Sequence, residues 1–129
     1  MKLEIFGADL EFDEVLIHES KNEIQRQLEE YLSGERENFE INFSVPENFT
    51  GKVMNEMLEI PRGETQTYGD IAEKLDSAAI AVGQACGRNP LPVIVPCHRV
   101  VSASGLGGYH GEMDNDAKRK LLRLEGADF

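Results

Sequence analysis

A cysteine followed directly by a histidine and an arginine, Cys97-His98-Arg99, is the stretch of this chain best suited to covalent chemistry. The thiolate is the nucleophilic form, and an unperturbed cysteine with a pKa near 8.5 is only about 3% ionised at neutral pH. A histidine, a cation or a helix N-terminus beside the sulfur lowers that pKa by about one to several units. Sequence neighbours on a strand point to opposite faces, so His98 reaches the sulfur only if the chain turns at Cys97. A carboxylate that orients the histidine would complete a nucleophile–base–orienter set. Glu125, in "RLEG" near the C-terminus, is the candidate. The other reading of the same residues is a buried, inert Cys97 with His98 satisfied by a backbone carbonyl.

The elements that must position this set can be read outward from it. "LPVIVP", fenced by Pro92 and Pro96, reads as a short buried extended segment that brings Cys97 to a strand-to-turn junction. "SASGLGGYHG" is a loop of small residues, and "DNDAKRKLLRLEG" is a helix capped by Asp114 or Asn115 and ended by Gly126. Upstream, "TQTYGDIAEKLDSAAIAVGQACGRNP" predicts a helix from about Tyr68 to Leu75, a turn at Asp76–Ser77 and a helix from about Ala78 to Cys86. That is a helix-turn-helix candidate. Its second helix lacks the long polar side chains that usually read base edges. Small residues let the backbone approach a minor groove closely, and they equally suit a tightly packed core helix.

The first half carries its own signals. "LEIFGADLEF" and "EVLIHES" read as two short strands, joined by a turn near Gly7–Asp9 or Glu11–Glu14. "SKNEIQRQLEEYLSG" is a helix with Ser20 as N-cap, Glu23 three residues on, and Ile24, Leu28, Tyr31 and Leu32 on one face. "ENFEINFSVP" is extended. "NFTGKVMNEMLEIPRGE" is a second helix with Phe49, Val53, Met57, Leu58 and Ile60 apolar, stopped by Pro61 and Gly63.

Composition bounds the rest. The chain has 129 residues, 40% hydrophobic and 29% charged, the make-up of an ordinary globular domain. No apolar run approaches the roughly 20 residues needed to span a bilayer, and "MKLEIFGADLEF" puts acids where a signal peptide needs an apolar stretch. A cytoplasmic location is the expectation. Two cysteines, Cys86 and Cys97, give neither a disulfide framework nor zinc spacing. The net charge of −11 argues against nucleic acid, but its distribution weakens that objection. Residues 1–45 hold twelve acids against four bases, residues 46–129 twelve against nine, and Ser77 to Gly111 hold no acid at all.

"NPLPVIVPCHRVVSASGLGGYHG" resembles the signature of the O6-alkylguanine-DNA alkyltransferases (methylated-DNA–protein-cysteine methyltransferases). "IPRGETQTYGDIAEKL" resembles the Gly-Glu and Tyr of that family's helix-turn-helix, and "LLRLEG" its closing Leu-Glu-Gly. The resemblance covers about residues 28 to 126. It implies that Cys97 is the alkyl acceptor, His98 its water-bridged base and Glu125 the orienter of that base. It implies that Asn89 braces the turn around the nucleophile and that Tyr68 donates to guanine N3. Backbone groups of Cys97 and Val100, with Tyr109 and His110, would form the pocket for a flipped base. Arg99 would support the fold by pairing. The helix bearing Ile80, Ala81, Gln84 and Arg88 would lie in the minor groove. The chain departs from the family at Ile80, where an arginine usually fills the gap left by the extruded base, and at His110, where a small polar residue is common. His18 is the only histidine of the N-terminal region, which has no cysteine, so the zinc site of some relatives is not expected.

The implied fold is α+β. A small N-terminal α/β domain with a short antiparallel sheet (residues 1–45) precedes a mainly helical C-terminal domain with the helix-turn-helix and the cysteine (residues 46–129). The implied function is stoichiometric, irreversible transfer of an alkyl group from O6-alkylguanine in double-stranded DNA to Cys97. It needs no cofactor or metal and no membrane, and it is carried out by a monomer. The alternatives are a DNA-binding alkylation or redox sensor, a non-catalytic alkyltransferase-like protein that binds the lesion, and a cysteine hydrolase.

Overall fold

A computed structural model describes residues 1–107 and 116–129. Strands β1 (Lys2–Ile5) and β2 (Ala8–Glu11) form an antiparallel hairpin in which Leu3 faces Leu10 and Ile5 faces Ala8. The two connecting residues, Phe6 and Gly7, both have positive φ, at 48° and 86°. That backbone matches the right-handed twist of the paired strands. Both strands thus lie within "LEIFGADLEF". The segment expected as the second strand, "EVLIHES", instead begins with a 3-10 turn over Glu14–Leu16, capped by Asp13. Helix α1 (Lys21–Leu32) follows, with the Ser20 side chain accepting from the Glu23 N–H. It buries Ile24, Gln27, Leu28 and Tyr31, the i, i+3, i+4, i+7 stripe of a helix lying on a core.

Helix α2 (Phe49–Leu58) is capped by Asn48 and buries Gly51, Val53, Met54 and Met57. Phe49 and Leu58, expected on its apolar face, are exposed. Strand β3 (Gln66–Thr67) leads directly into α3 (Tyr68–Lys74), whose start is a reciprocal box between Thr67 and Asp70. A tight turn then gives α4 (Ala79–Gly87), which buries Val82, Ala85 and Cys86. After the cysteine turn, β4 (Val100–Val101) pairs in parallel with β3, Gln66 opposite Val100 and Thr67 opposite Val101. Helix α5 (Asp116–Leu124) closes the fold, burying Ala117, Lys118, Leu121 and Leu122. The capping expected of Asp114 or Asn115 lies outside the described residues. One hydrophobic cluster runs through both halves, from Ile5, Leu10 and Phe12 to Met54, Ile71, Val82 and Leu121. The Asp13 N–H also donates to the Pro90 carbonyl at 2.9 Å, tying the hairpin side to the loop that precedes the cysteine. No helix among the described residues is long and apolar enough to cross a membrane.

Candidate active site

The segment Leu91–Val95 is not extended, as expected, but a buried pair of tight turns. Val93 has φ 70°, and the Ile94 N–H donates to the Pro92 carbonyl at 2.8 Å, a γ-turn of the rare hand. A β-branched residue at positive φ is strained. Complete burial of Leu91 and Val95 and near-complete burial of Val93 hold the turn in place. Pro96, at φ −81° and ψ 67°, makes the common inverse γ-turn, with the Cys97 N–H donating to Val95 O at 2.8 Å. Proline is suited to that φ. Two consecutive reversals thus deliver Cys97 as the first residue of a 3-10 turn, Cys97–Arg99.

Asn89 clamps the ends of this structure. Its Nδ2 donates to Val95 O at 2.9 Å and its Oδ1 accepts from the Leu91 N–H at 3.0 Å. The side chain is buried and does for the turn what a paired backbone does in a sheet.

His98 is fully buried, and its Nε2 lies 2.8 Å from Glu125 Oε2. An ionised carboxylate only accepts, so Nε2 carries the proton of that bond. Burial pushes the His98 pKa down and the carboxylate only partly offsets it, so the ring is neutral at pH 7. Its lone pair is therefore at Nδ1, which is buried and has no hydrogen-bond partner among the described residues. Arg99 closes the other side of Glu125, with Nε to Oε1 and Nη2 to Oε2, both at 2.9 Å. Its Nη1 donates to the Ile60 carbonyl at 2.7 Å. Burial raises the Glu125 pKa, but hydrogen bonds from His98 and Arg99 outweigh it and hold the carboxyl well below the usual carboxylate range.

Cys97 is 4% exposed. Tyr68, at the start of α3, is partly buried, and its hydroxyl lies 3.4 Å from Lys118 Nζ. Burial first, and the nearby Cys86 and Cys97 second, push that phenol up to about 12. Gly107, at φ 74°, passes so close that a Cβ there would sit 2.9 Å from the hydroxyl, so glycine is required on both counts. Val100 is fully buried, and its carbonyl accepts from Lys118 Nζ at 2.6 Å. Lys118 was not singled out from sequence. Burial brings its ammonium down to about 8. The available signal was its register: three and four residues before Leu121 and Leu122, it falls on the buried stripe of α5.

On α4 the residues separate by face. Ile80 is 77% exposed, Gln84 and Arg88 are exposed at successive turns of the same side, and Ala81 is partly buried beside them. Gly83 lies against the Tyr68 ring. Tyr109 and His110 lie outside the described residues.

Comparison with known proteins places the chain in a family. Residues 48–127 match the family model for the 6-O-methylguanine DNA methyltransferase DNA binding domain. The methylated-DNA–protein-cysteine methyltransferase of Archaeoglobus fulgidus is 47% identical over 112 residues, covering 83% of this chain and 76% of that protein. The protein of the same name from Mycobacterium tuberculosis is 46% identical over 103 residues, covering 77% of this chain and 61% of its own length. Among solved structures, M. tuberculosis OGT in complex with DNA matches with a TM-score of 0.72 at 43% identity, covering 81% of this chain and 66% of that one. S. pombe Atl1 in complex with damaged DNA containing O6-carboxymethylguanine matches at 0.56 and 30% identity, covering 66% of this chain and 82% of that one. This chain thus spans only part of the length of the methyltransferases it matches. With most of its residues under one family model and relatives at nearly half identity, the chain belongs to the 6-O-methylguanine DNA methyltransferase family.

Proposed function

We propose that the protein repairs O6-alkylguanine in double-stranded DNA by moving the alkyl group irreversibly to its own Cys97. The observation that carries this reading is the state of His98. With Nε2–H committed to Glu125, Nδ1 is the basic atom of the ring, buried in the residue next to the sulfur. The thiol proton passes to Nδ1 through a bridging water. Sγ attacks the alkyl carbon, the S–C bond forms as the C–O bond breaks, and the electron pair goes to the guanine. The purine then recovers a proton at N1. Tyr68 hydrogen-bonds guanine N3 and improves the leaving group. Lys118 donates to the same hydroxyl, which leaves the phenol's own proton free for the base. The thioether is not cleaved, so each molecule acts once, with no cofactor or metal.

O6 cannot be reached inside a duplex, so the base must be extruded. In this reading α3 and α4 act as the helix-turn-helix, with Ile80, Ala81, Gln84 and Arg88 against the minor groove. Ile80 serves as an apolar wedge where relatives use arginine. Asn89 holds the cysteine turn, and Val100, Tyr109 and His110 border the base. Action as a monomer in the cytoplasm and a division of the chain near residue 45 belong to the same reading. The test is intact mass after exposure to an O6-methylguanine duplex. One methyl group should appear on the Cys97 peptide and none on Cys97→Ala. Binding of the duplex with no mass gain would instead identify a sensor or a lesion-binding protein.

A further inference from the structure

The carboxylate that orients His98 is also held from the N-terminal half. The Tyr31 side chain, on α1 and 1% exposed, donates its hydroxyl hydrogen bond to Glu125 Oε2 across 94 positions of sequence. Oε2 is the same oxygen that accepts from His98 Nε2 and from Arg99 Nη2. The Tyr31 ring is stacked on Phe39 at 4.8 Å between centroids, and the Arg62 guanidinium lies over it at 5.0 Å from its centroid. Arg99 Nη2 also approaches the Tyr31 hydroxyl at 3.5 Å, and Arg62 donates to the Leu124 carbonyl next to Glu125. Tyr31 is therefore part of a closed polar network and not simply a core aromatic.

We infer that Tyr31 is a positioning residue: by sharing Oε2 with His98 it sets how strongly Glu125 draws on the imidazole, and so how readily Cys97 gives up its proton. The physical reason is competition for one oxygen. Each donor to Oε2 withdraws electron density that the remaining donors would otherwise use. The groups acting on this exchange are His98 and Arg99 from the cysteine turn, Tyr31 from α1, Arg62 from the segment after α2, and Lys118 from α5. Beside the imidazole itself, Tyr31 is the donor to Oε2 that carries no charge, Arg99 being the charged one, so it tunes the histidine without altering the charge of the site. This places a control of reactivity in α1, outside the residues matched by the family model.

The inference deepens the alkyl-transfer reading, and its test does not depend on DNA. The pH profile of Cys97 alkylation by iodoacetamide, followed by mass on the Cys97 peptide, reads thiolate formation directly. Tyr31→Phe keeps the ring and removes the donor, so the midpoint should move down by about half a unit, roughly threefold more thiolate below the midpoint. Replacing Tyr31 by 3-fluorotyrosine, whose hydroxyl donates more strongly, should move it up. In a Glu125→Gln background Tyr31→Phe should add nothing. Phe39→Leu, which disturbs the stacking and leaves the hydroxyl, should keep the wild-type midpoint. Superposed profiles for Tyr31→Phe and wild type overturn the role of Tyr31, as does an undiminished shift in the Glu125→Gln background. An O6-methylguanine duplex offered to wild type separates the two readings. A shifted thiol profile without methyl transfer sinks the repair assignment alone, and methyl transfer with superposed profiles sinks the Tyr31 role alone.

Discussion

The cysteine turn and the outward side of α4 are built on opposite plans. Around Cys97, the polar groups of Asn89, Arg99 and Glu125 and the Nε2 of His98 meet partners at 2.7 to 3.0 Å, and Asn89, His98 and Glu125 are buried. Along α4, Ile80, Gln84 and Arg88 stand in solvent, and neither Gln84 nor Arg88 makes a side-chain hydrogen bond or ion pair among the described residues. The first region is ordered before any substrate arrives, and this lowers the cost of reaching the reactive geometry. The second makes no such contacts among the described residues, and the proposed function assigns its contacts to DNA. Substitutions in the first should therefore register in stability and reactivity together, and substitutions in the second only in behaviour on DNA.

The sharpest way to break this contrast is at Glu125. Glu125→Ala leaves the buried His98 and the partly buried Arg99 without their acceptor, and removing one partner of a buried ion pair costs about 3–5 kcal/mol. Denaturant unfolding should show a loss of that size, with methyl uptake by Cys97 largely abolished. A loss below about 1 kcal/mol would mean that the buried network is not what orders the turn.

Acid is a gentler probe of the same region. Glu125 is held below its ordinary range, so its stabilisation is complete above the usual carboxylate pKa and disappears as pH falls through the folded-state value. His98 is also lowered, so its neutral buried form favours the fold above about pH 6.5 and is lost as the pH drops. Both slopes have the same sign, and thermal unfolding from pH 7 downward should show a steady decline. His98→Gln should remove the part that begins near neutrality.

The smallest effect on stability is expected at Ile80. Ile80→Arg on this exposed side should change unfolding free energy by no more than about 0.5 kcal/mol. Under the proposed repair reading, duplex repair should rise several-fold, because a guanidinium at this position could hydrogen-bond the base left behind by extrusion. Single-turnover rates on duplex and single-stranded substrates would show it, with the gain confined to the duplex. No gain over wild type on the duplex would count against the proposed role of Ile80 in filling the gap left by the base.

Local chemistry was readable in the sequence wherever the structure depends on local chemistry. Ser20 with Glu23 started α1 and Tyr68 opened α3 as expected, while α2 ended at Leu58, a little ahead of the stop expected at Pro61 and Gly63. The Cys97-His98 pair could be named from adjacency and Glu125 as a candidate from residue type alone, and the family resemblance supplied Asn89 and Tyr68. Sequence failed where a fold-level demand overrode the local pattern. "LPVIVP" has the composition of a strand, but Val93 is forced to positive φ by burial on every side. "EVLIHES" alternates like a strand, yet Asp13 caps a 3-10 turn there. Lys118 was passed over, and Tyr31 was read only as part of the apolar face of α1, because each looked like an ordinary helix residue. Their partners, Val100 and Glu125, are 18 and 94 positions away, and no periodicity encodes a contact across that distance.

The two rungs joining β3 to β4 act as a ruler. β3 runs straight into Tyr68, and β4 leaves straight from the 3-10 turn that holds Cys97. Adding or deleting one residue on either side would slide the phenol past the sulfur by about 3.3 Å and turn the side chains to the wrong face. Length variation in a redesigned version of this protein is therefore confined to segments beyond those rungs, and their spacing is the dimension that any graft of the site must copy.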